Sequence, residues 1–345
     1  MAPVAVAFRK KLRDCAMGKL HLHIKNNRAG EELFCMTPER VAAALERRPD
    51  VADRVDVTID WDCDNFAASM KDARGLLTWD LPMDGLAARA PNLEWIHIIG
   101  AGIEHLQPLG WLPRGVTLVN NRGVHAAKAG EYGLMAILML NNHMPALYAA
   151  QAAGRYDPRF ATPAAGKTLA VIGVGGMGGA VARQASRFGL HVIGVRRGGR
   201  RARGVHEMFG PEDLDGVLAR ADFVLVTTPL TAETVNLLDR RRLDLMKRSA
   251  GLINMSRAAV VDYEALAAKL RDGSLAGAIL DVFDPEPLPH ASPYWNTPNL
   301  IATPHVSSDD VDAYAPLTLD LFFDNAARYL EGRPFRNRVR PKLGY

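Results

Sequence analysis

The sequence carries one glycine string that could cradle a cofactor, Gly173-Val-Gly175-Gly-Met-Gly178. In such a string the first glycine permits a tight turn, the second lets the backbone approach a pyrophosphate, and the third lets a helix pack closely on a strand. The N–H groups at the start of that helix would face the phosphates. An apolar run at 168–172 precedes the string, helical spacing follows it, and a second apolar run covers 191–195. This context predicts a dinucleotide site. The alternative is a glycine-rich turn that binds nothing.

Arg196 stands where the second strand of such a unit ends, and Arg197 follows it. An Asp or Glu is usual there, about 20 residues past the glycines, because its carboxylate binds the ribose 2′-OH. A carboxylate would repel a 2′-phosphate, whereas guanidinium groups attract it. The sequence therefore predicts that NADP(H) is preferred and that NAD(H) is possible. The alternative is a surface arginine in a protein that accepts both cofactors.

Three polar residues, Arg257, Glu286 and His305, stand at or just beyond the ends of predicted strands. The carboxyl ends of parallel strands are where open α/β sheets bind ligands, so these side chains can converge on one crevice. Reduction of a ketone by hydride needs a proton donor at the carbonyl oxygen, and histidine is the commonest donor near neutral pH. A carboxylate would orient the imidazole, and an arginine fork suits the carboxylate of a 2-oxo acid. Composition alone cannot single these residues out, since the chain has 10 His and 42 Lys plus Arg.

A second pair of glycines, in Ile98-Ile-Gly100-Ala-Gly102, directly follows another predicted strand. Two glycines at the carboxyl end of a strand can offer backbone N–H groups to an anion. A simple turn explains the same residues equally well.

The elements that must position these residues are strands alternating with helices, the pattern of parallel sheets. The first part of the chain has strand-like runs at 20–24, 55–59, 75–78, 95–99 and 117–119. The second part has about six, at 168–172, 191–195, 223–227, 251–254, 276–282 and 300–302, as expected of a doubly wound sheet. Helices are predicted at 126–148, 231–238, 240–246, 262–270 and 311–330, among others.

Composition indicates a soluble globular protein, with 48% hydrophobic and 23% charged residues in 345. The longest apolar run, 134–140, is too short to span a bilayer, so no membrane association is predicted. Cys15, Cys35 and Cys63 lack metal-ligand spacing and indicate reduced thiols in a cytoplasmic protein, with no metal site. The net charge of +4 raises the question of nucleic acid, but the arginines are mostly dispersed and no basic stripe with aromatics occurs, so none is expected.

From about Gly75 to His305 the chain resembles the D-isomer-specific 2-hydroxyacid dehydrogenase family, which includes glyoxylate/hydroxypyruvate reductases. The motifs that carry the likeness lie in family order at Gly173–Gly178, Pro229–Thr231, Asn254–Arg257, Asp281–Pro289 and Thr303–His305. The resemblance implies an α/β fold of two Rossmann-like domains. A doubly wound, parallel-sheet dinucleotide-binding domain, residues 126–310, would be inserted into a smaller flavodoxin-like substrate domain, residues 1–125 and 311–345.

The resemblance also implies roles for single residues. Arg257 would bind the substrate's carboxylate and carbonyl oxygen, and His305, paired with Glu286, would be the acid/base. Asp281, with the backbone at Met255, would hold the nicotinamide carboxamide. Residues expected at the cofactor are Gly173, Gly175, Gly176, Met177, Gly178, Arg196, Arg197, Thr228, Pro229, Met255, Asp281 and His305. Residues expected at the substrate are Trp79, Ala101, Gly102 and Arg257.

The expected activity is NADPH-dependent reduction of a small 2-oxo acid, such as glyoxylate or hydroxypyruvate, to the D-2-hydroxy acid. The long helix from Ala126 would pack across a homodimer. One alternative is a dinucleotide-sensing binding protein like the co-regulators of the family, which keep the same three polar residues. The other is a formate dehydrogenase-like enzyme, but that branch carries Gln at the position of Glu286.

Overall fold

The structure is a computed structural model and describes residues 18–340 of the chain. It divides into two compact units. Unit 1 consists of Met1–Val124 and Asp310–Tyr345, and unit 2 consists of His125–Asp309. Among the described residues, no helix combines the length and the apolar character that crossing a membrane would require.

Unit 1 is built on a parallel sheet of five strands in the order β2-β1-β3-β4-β5, the flavodoxin-like order. The strands are β1 (Leu20–Asn26), β2 (Val55–Trp61), β3 (Gly75–Thr78), β4 (Trp95–Ile98) and β5 (Thr117–Asn120). The helices are α1 (Pro38–Glu46), α2 (Pro49–Ala52), α3 (Phe66–Ser69), α4 (Leu86–Arg89) and, from the end of the chain, α11 (Tyr314–Leu330).

The core of unit 1 joins the two separate parts of its chain. Phe322 and Phe323 of α11 are fully buried in one apolar cluster with Leu20 and Trp95 of the sheet. Trp95 and Phe322 lie with their ring centroids 4.8 Å apart. The last helix is therefore an integral layer of this unit.

Unit 2 contains a parallel sheet of seven strands in the order β12-β11-β10-β9-β6-β7-β8. The strands are β6 (Thr168–Ile172), β7 (His191–Val195), β8 (Glu207–Phe209), β9 (Phe223–Val226), β10 (Gly251–Asn254), β11 (Gly277–Leu280) and β12 (Leu300–Ala302). The helices are α5 (Ala126–Asn141), α6 (Met144–Ala152), α7 (Gly176–Arg187), α8 (Leu214–Arg220), α9 (Arg240–Asp244) and α10 (Tyr263–Arg271). The strand order reverses between β6 and β9, which is where a doubly wound sheet binds its ligand.

Both faces of this sheet are covered, which explains why its strands are continuous apolar runs. Along β6, Ala170 and Ile172 pack into one apolar cluster, whereas Leu169 and Val171 pack into another on the opposite face. Helices α5 and α7 contribute to the second cluster, and α8 and α10 contribute to the first. The predicted fold class, two Rossmann-like units with a doubly wound parallel sheet in one of them, is confirmed.

Two predicted helices are wrong, and one strand was not predicted. The predicted helix 126–148 is two helices, because His143 has a left-handed backbone (φ 56°) and Pro145 lies in the first turn of α6. A proline at that position would clash with the preceding turn of an uninterrupted helix.

The predicted helix 231–238 is a series of turns. The hydroxyl of Thr234 donates to the Pro229 carbonyl (2.7 Å) and accepts from the Thr231 N–H (2.8 Å), which are local bonds that compete with a helix. The backbone of Asn236 and Leu238 instead donates to the carbonyls of 259 and 260.

Strand β8 was not predicted. Its three residues are only half-buried, so they give no apolar run, and the strand exists through its pairing with Ile193–Val195 of β7. The sheet therefore has one strand more than the sequence indicated.

Candidate active site

The glycine loop of unit 2 lies between β6 and α7, and three of its glycines, Gly173, Gly175 and Gly178, have different surroundings. Gly173 has φ 99°, and a side chain there would come within 2.7–2.9 Å of the backbone of 227–228. A side chain on Gly178 would press on the Gly173 carbonyl and come within 2.5 Å of Thr227 Oγ1. A Cβ on Gly175 would have no described protein atom within 4 Å. Packing within the protein thus requires Gly173 and Gly178, whereas Gly175 leaves open space beside the loop.

The end of β9 fastens this loop. Thr227 donates from its hydroxyl to the Gly173 carbonyl at 2.7 Å and from its N–H to the Ile172 carbonyl at 2.9 Å. The next hydroxyl, on Thr228, is buried and has no hydrogen-bond partner among the described residues. A buried polar atom of this kind usually has a partner, so Thr228 and the exposed Pro229 border a place suited to a polar ligand.

Arg196 directly follows β7 and turns back onto the glycine loop. Its Nη1 donates to the Val174 carbonyl at 3.1 Å, while its Nε is buried without a hydrogen-bond partner in residues 18–340. Arg197 is more exposed and lies 3.1 Å from a carboxylate oxygen of Glu233. Arg196 is therefore half-buried beside the loop, with donors left over on its guanidinium group.

A buried asparagine shapes the turn that carries Arg257. Asn254, the last residue of β10, accepts from the Ser256 N–H at 2.9 Å and donates to the Arg257 carbonyl at 3.1 Å. The guanidinium of Arg257 donates to the Ser256 carbonyl at 2.7 Å, and Met255 is buried within the same turn. The sequence analysis identified 254–257 as a family motif. Nothing in the sequence marked Asn254 as the residue that holds the turn.

The side chains of Glu286 and His305 are bonded directly to each other. His305 Nδ1 lies 2.8 Å from Glu286 Oε2, and the other carboxylate oxygen accepts from the Phe283 N–H at 2.8 Å. Glu286 is thereby fixed to its own turn and orients the imidazole. Because Nδ1 faces the carboxylate, Nε2 is the ring nitrogen left to exchange a proton.

Asp281 is almost fully buried, and its carboxylate holds the segment around His305. It accepts from the Thr303 hydroxyl at 2.7 Å and from the N–H groups of Val306 and Ser307, each at 3.0 Å. The Thr303 hydroxyl also contacts the Tyr132 hydroxyl at 2.7 Å. Burial raises the pKa of Tyr132 to about 12, so this phenol stays protonated. Tyr132 and Thr303 were not among the predicted site residues, since no short-range pattern links positions so distant in sequence.

Unit 1 presents Ala101 and Gly102 in a loop whose carbonyls point inward. The Ile99 carbonyl accepts from Tyr314 at 2.6 Å, the Gly100 carbonyl from the Asn121 N–H at 2.9 Å, and the Ala101 carbonyl from Asn120 at 2.7 Å. In the described part of the chain, the N–H groups of residues 100–102 donate to no protein acceptor. The loop can therefore offer successive N–H groups to an anion.

Trp79, also in unit 1, is 41% exposed and fixed beside this loop. Its ring stacks on His105 with centroids 4.0 Å apart, and its carbonyl lies 2.8 Å from His105 Nε2. A side chain on Gly100 would come within 2.5 Å of the indole. Leu81, by contrast, is 8% exposed and belongs to the apolar core of the unit.

Comparison with known proteins gives a family. Residues 134–307 match the family described as D-isomer specific 2-hydroxyacid dehydrogenase, NAD binding domain. A protein of Thermofilum pendens named glyoxylate reductase is 34% identical over 236 residues, 65% of this chain and 68% of its own. A protein of Yersinia pestis named glyoxylate/hydroxypyruvate reductase B is 31% identical over 284 residues, 80% of this chain and 86% of its own.

Solved structures that resemble this chain carry the same family name or a related one. A D-isomer specific 2-hydroxyacid dehydrogenase of Xanthobacter autotrophicus, in complex with NADPH and MES, has a TM-score of 0.79 and 30% identity, covering 95% of this chain and 100% of that chain. An NADPH-dependent glyoxylate/hydroxypyruvate reductase of Sinorhizobium meliloti, with NADP and sulfate, has a TM-score of 0.77 and 27% identity, covering 94% and 100%. The chain therefore belongs to the D-isomer specific 2-hydroxyacid dehydrogenase family of oxidoreductases.

Proposed function

We propose that this protein reduces a small 2-oxo acid to the D-2-hydroxy acid, with NADPH as the preferred cofactor and NADH as a possible one. The observation that carries the proposal is the bonded pair of Glu286 and His305, 2.8 Å apart, in the unit that also holds the glycine loop. The names of the relatives support glyoxylate or hydroxypyruvate as substrates. NADP(H) in two of the similar solved structures supports the cofactor.

The residues present fit a dinucleotide. The space beside Gly175 would admit a pyrophosphate, and the N–H groups at the start of α7 would face it. The buried Thr228 hydroxyl and the spare donors of Arg196 are polar groups that such a ligand would satisfy. Arg196 and Arg197 would hold a 2′-phosphate, and Asp281 with the Met255 backbone would hold the carboxamide. When bound, NADPH supplies the hydride.

The protein's own groups would supply binding and the proton. Arg257 offers a planar fork for the substrate's carboxylate and carbonyl oxygen. In unit 1, the N–H groups of the loop with Ala101 and Gly102 would suit an anion, and Trp79 lies beside that loop. His305 would give its Nε2 proton to the carbonyl oxygen as that oxygen gains negative charge. Glu286 would hold the ring and stabilise its protonated form.

We also propose that the protein is a homodimer. Large apolar side chains on α5, α6 and the segment after them are exposed: Met135 at 43%, Tyr148 at 48%, Phe160 at 90% and Tyr156 at 98%. Exposed apolar side chains grouped along one stretch of chain are typical of a protein interface.

The function is tested by steady-state oxidation of NADPH and NADH with glyoxylate, hydroxypyruvate and phenylpyruvate. The wild type should turn over at least one of these, faster with NADPH. His305→Ala should lower kcat by about 10²–10⁴-fold, because it removes the proton donor. His290→Ala, at an exposed histidine of the same unit, is the matched control and should keep kcat. Full activity in His305→Ala would refute the assignment, and binding of NADPH without turnover of any 2-oxo acid would favour the sensing protein.

A further inference from the structure

The backbone of His305 is in the left-handed region, with φ 54°. A residue other than glycine keeps this conformation only where its surroundings over-determine it. The groups that hold the segment 303–309 therefore matter for where the imidazole lies.

The first part of this segment is anchored by groups already described. Tyr132 of α5 contacts Thr303, and Asp281 accepts from Thr303, Val306 and Ser307. These contacts hold the segment on both sides of His305, but they do not involve its last two residues, Ser308 and Asp309.

His125, the residue directly before α5, holds the remainder. Its ring bonds to the Ser308 backbone, and its Nδ1 lies 3.7 Å from Asp309 Oδ1. The side chain of His125 is 7% exposed, and burial lowers its pKa to about 4, so the imidazole is neutral near pH 7. Burial also raises the pKa of Asp309. A neutral ring adds no positive charge beside His305 and Arg257, which both lie close enough to act on it electrostatically.

His125 and Asp309 also occupy special places in the chain. They are the first and the last residues of unit 2, so the polypeptide enters the unit at one and leaves it at the other. Their contact ties together the two points at which the chain passes between units. His305 lies four residues before the second point.

We propose that His125 is a positioning residue that fastens the start of unit 2 to its end and thereby fixes the segment that presents His305. The inference rests on the proposed function, because it concerns the same proton donor. It assigns His125 no contact with substrate or cofactor.

The test compares His125→Ala, His125→Gln and the control His290→Ala in the full-length enzyme. Misplacing a catalytic group by about 1 Å can cost about 10²-fold in rate, so His125→Ala should lower kcat about ten- to hundredfold. The KM for NADPH should stay within about threefold, since the glycine loop is not involved. His125→Gln should recover part of kcat, because its amide can still donate to the Ser308 backbone. His290→Ala should match the wild type.

A kcat for His125→Ala within twofold of the wild type would overturn the proposal. A ten- to hundredfold rise in the KM for NADPH with kcat unchanged would also overturn it, because the variant would then affect cofactor binding and not the position of His305. If His125→Ala does not fold, the nearly isosteric Asp309→Asn takes its place. Its kcat should fall several-fold with the melting temperature nearly unchanged, and an unchanged kcat would again contradict the proposal. Failure of the proposed function is seen separately, as an inactive wild type or a fully active His305→Ala.

Discussion

The glycines of the loop differ in how closely the rest of the protein surrounds them. Gly173 and Gly178 are enclosed by the protein's own backbone and side chains, whereas Gly175 faces open space. A sequence motif cannot distinguish these cases, because all three positions require the same residue type. The structure separates the glycines needed for the fold from the one available for a ligand.

Alanine at Gly178 should therefore lower stability, whereas alanine at Gly175 should weaken cofactor binding. Gly178→Ala should lower the free energy of unfolding by about 1–3 kcal/mol, because its methyl group has no room against Thr227 and the Gly173 carbonyl. Gly175→Ala should leave the melting temperature of the cofactor-free protein nearly unchanged and raise the KM for NADPH about tenfold or more. Thermal unfolding and initial rates measure the two effects. An unchanged KM in Gly175→Ala would mean that no phosphate lies beside this residue.

Arg196 carries the prediction about cofactor choice. In Arg196→Asp, attraction to the 2′-phosphate is replaced by repulsion, and like charges brought together cost several kcal/mol. The ratio of kcat/KM for NADPH over NADH should fall by about 10²-fold or more. Arg240→Asp reverses an exposed charge at the first position of α9 and should leave the ratio unchanged. A wild type that already prefers NADH would contradict the role given to Arg196.

At the scale of elements, buried strands were predictable because parallel sheets covered on both faces leave apolar runs. The predicted bounds of β3, β6, β7, β10 and β12 are those observed. Strand β8 was missed because its stability comes from pairing with β7 and not from its own residues. The helix predicted over 231–238 failed for the opposite reason, since hydroxyl groups within the stretch bind its own backbone.

The difference between contacts that are local in sequence and contacts between distant residues also explains what could be predicted of the site. Glycine spacing is local, so the loop could be found from the sequence. The bond between Glu286 and His305 was expected from the family resemblance, and the two are now seen 2.8 Å apart. The anchors of the 303–309 segment could not be found, because Tyr132, Asp281 and His125 come to it only when distant elements fold together. The catalytic and binding roles of all these residues stay predictions until the variants are measured.

At the scale of the whole molecule, the exposed aromatic residues after α6 bear on assembly. If Tyr156 and Phe160 lie in a dimer interface, the double variant Tyr156→Arg, Phe160→Arg should shift the protein toward monomer in analytical ultracentrifugation. Phe188→Arg is the matched control, since Phe188 is 49% exposed at the end of α7 and should leave the dimer intact. A wild type that sediments as a monomer would contradict the dimer outright.

The joining of α11 to the sheet of unit 1 affects the order in which the protein can fold as it is synthesised. Residues 125–309 leave the ribosome as one uninterrupted stretch and can complete unit 2 while translation continues. The strands of unit 1 emerge earlier, yet the aromatic cluster around Trp95 stays open until Phe322 and Phe323 arrive. The strands of unit 1 therefore complete their core only after unit 2 has been made, and their apolar surface is open to aggregation throughout that interval.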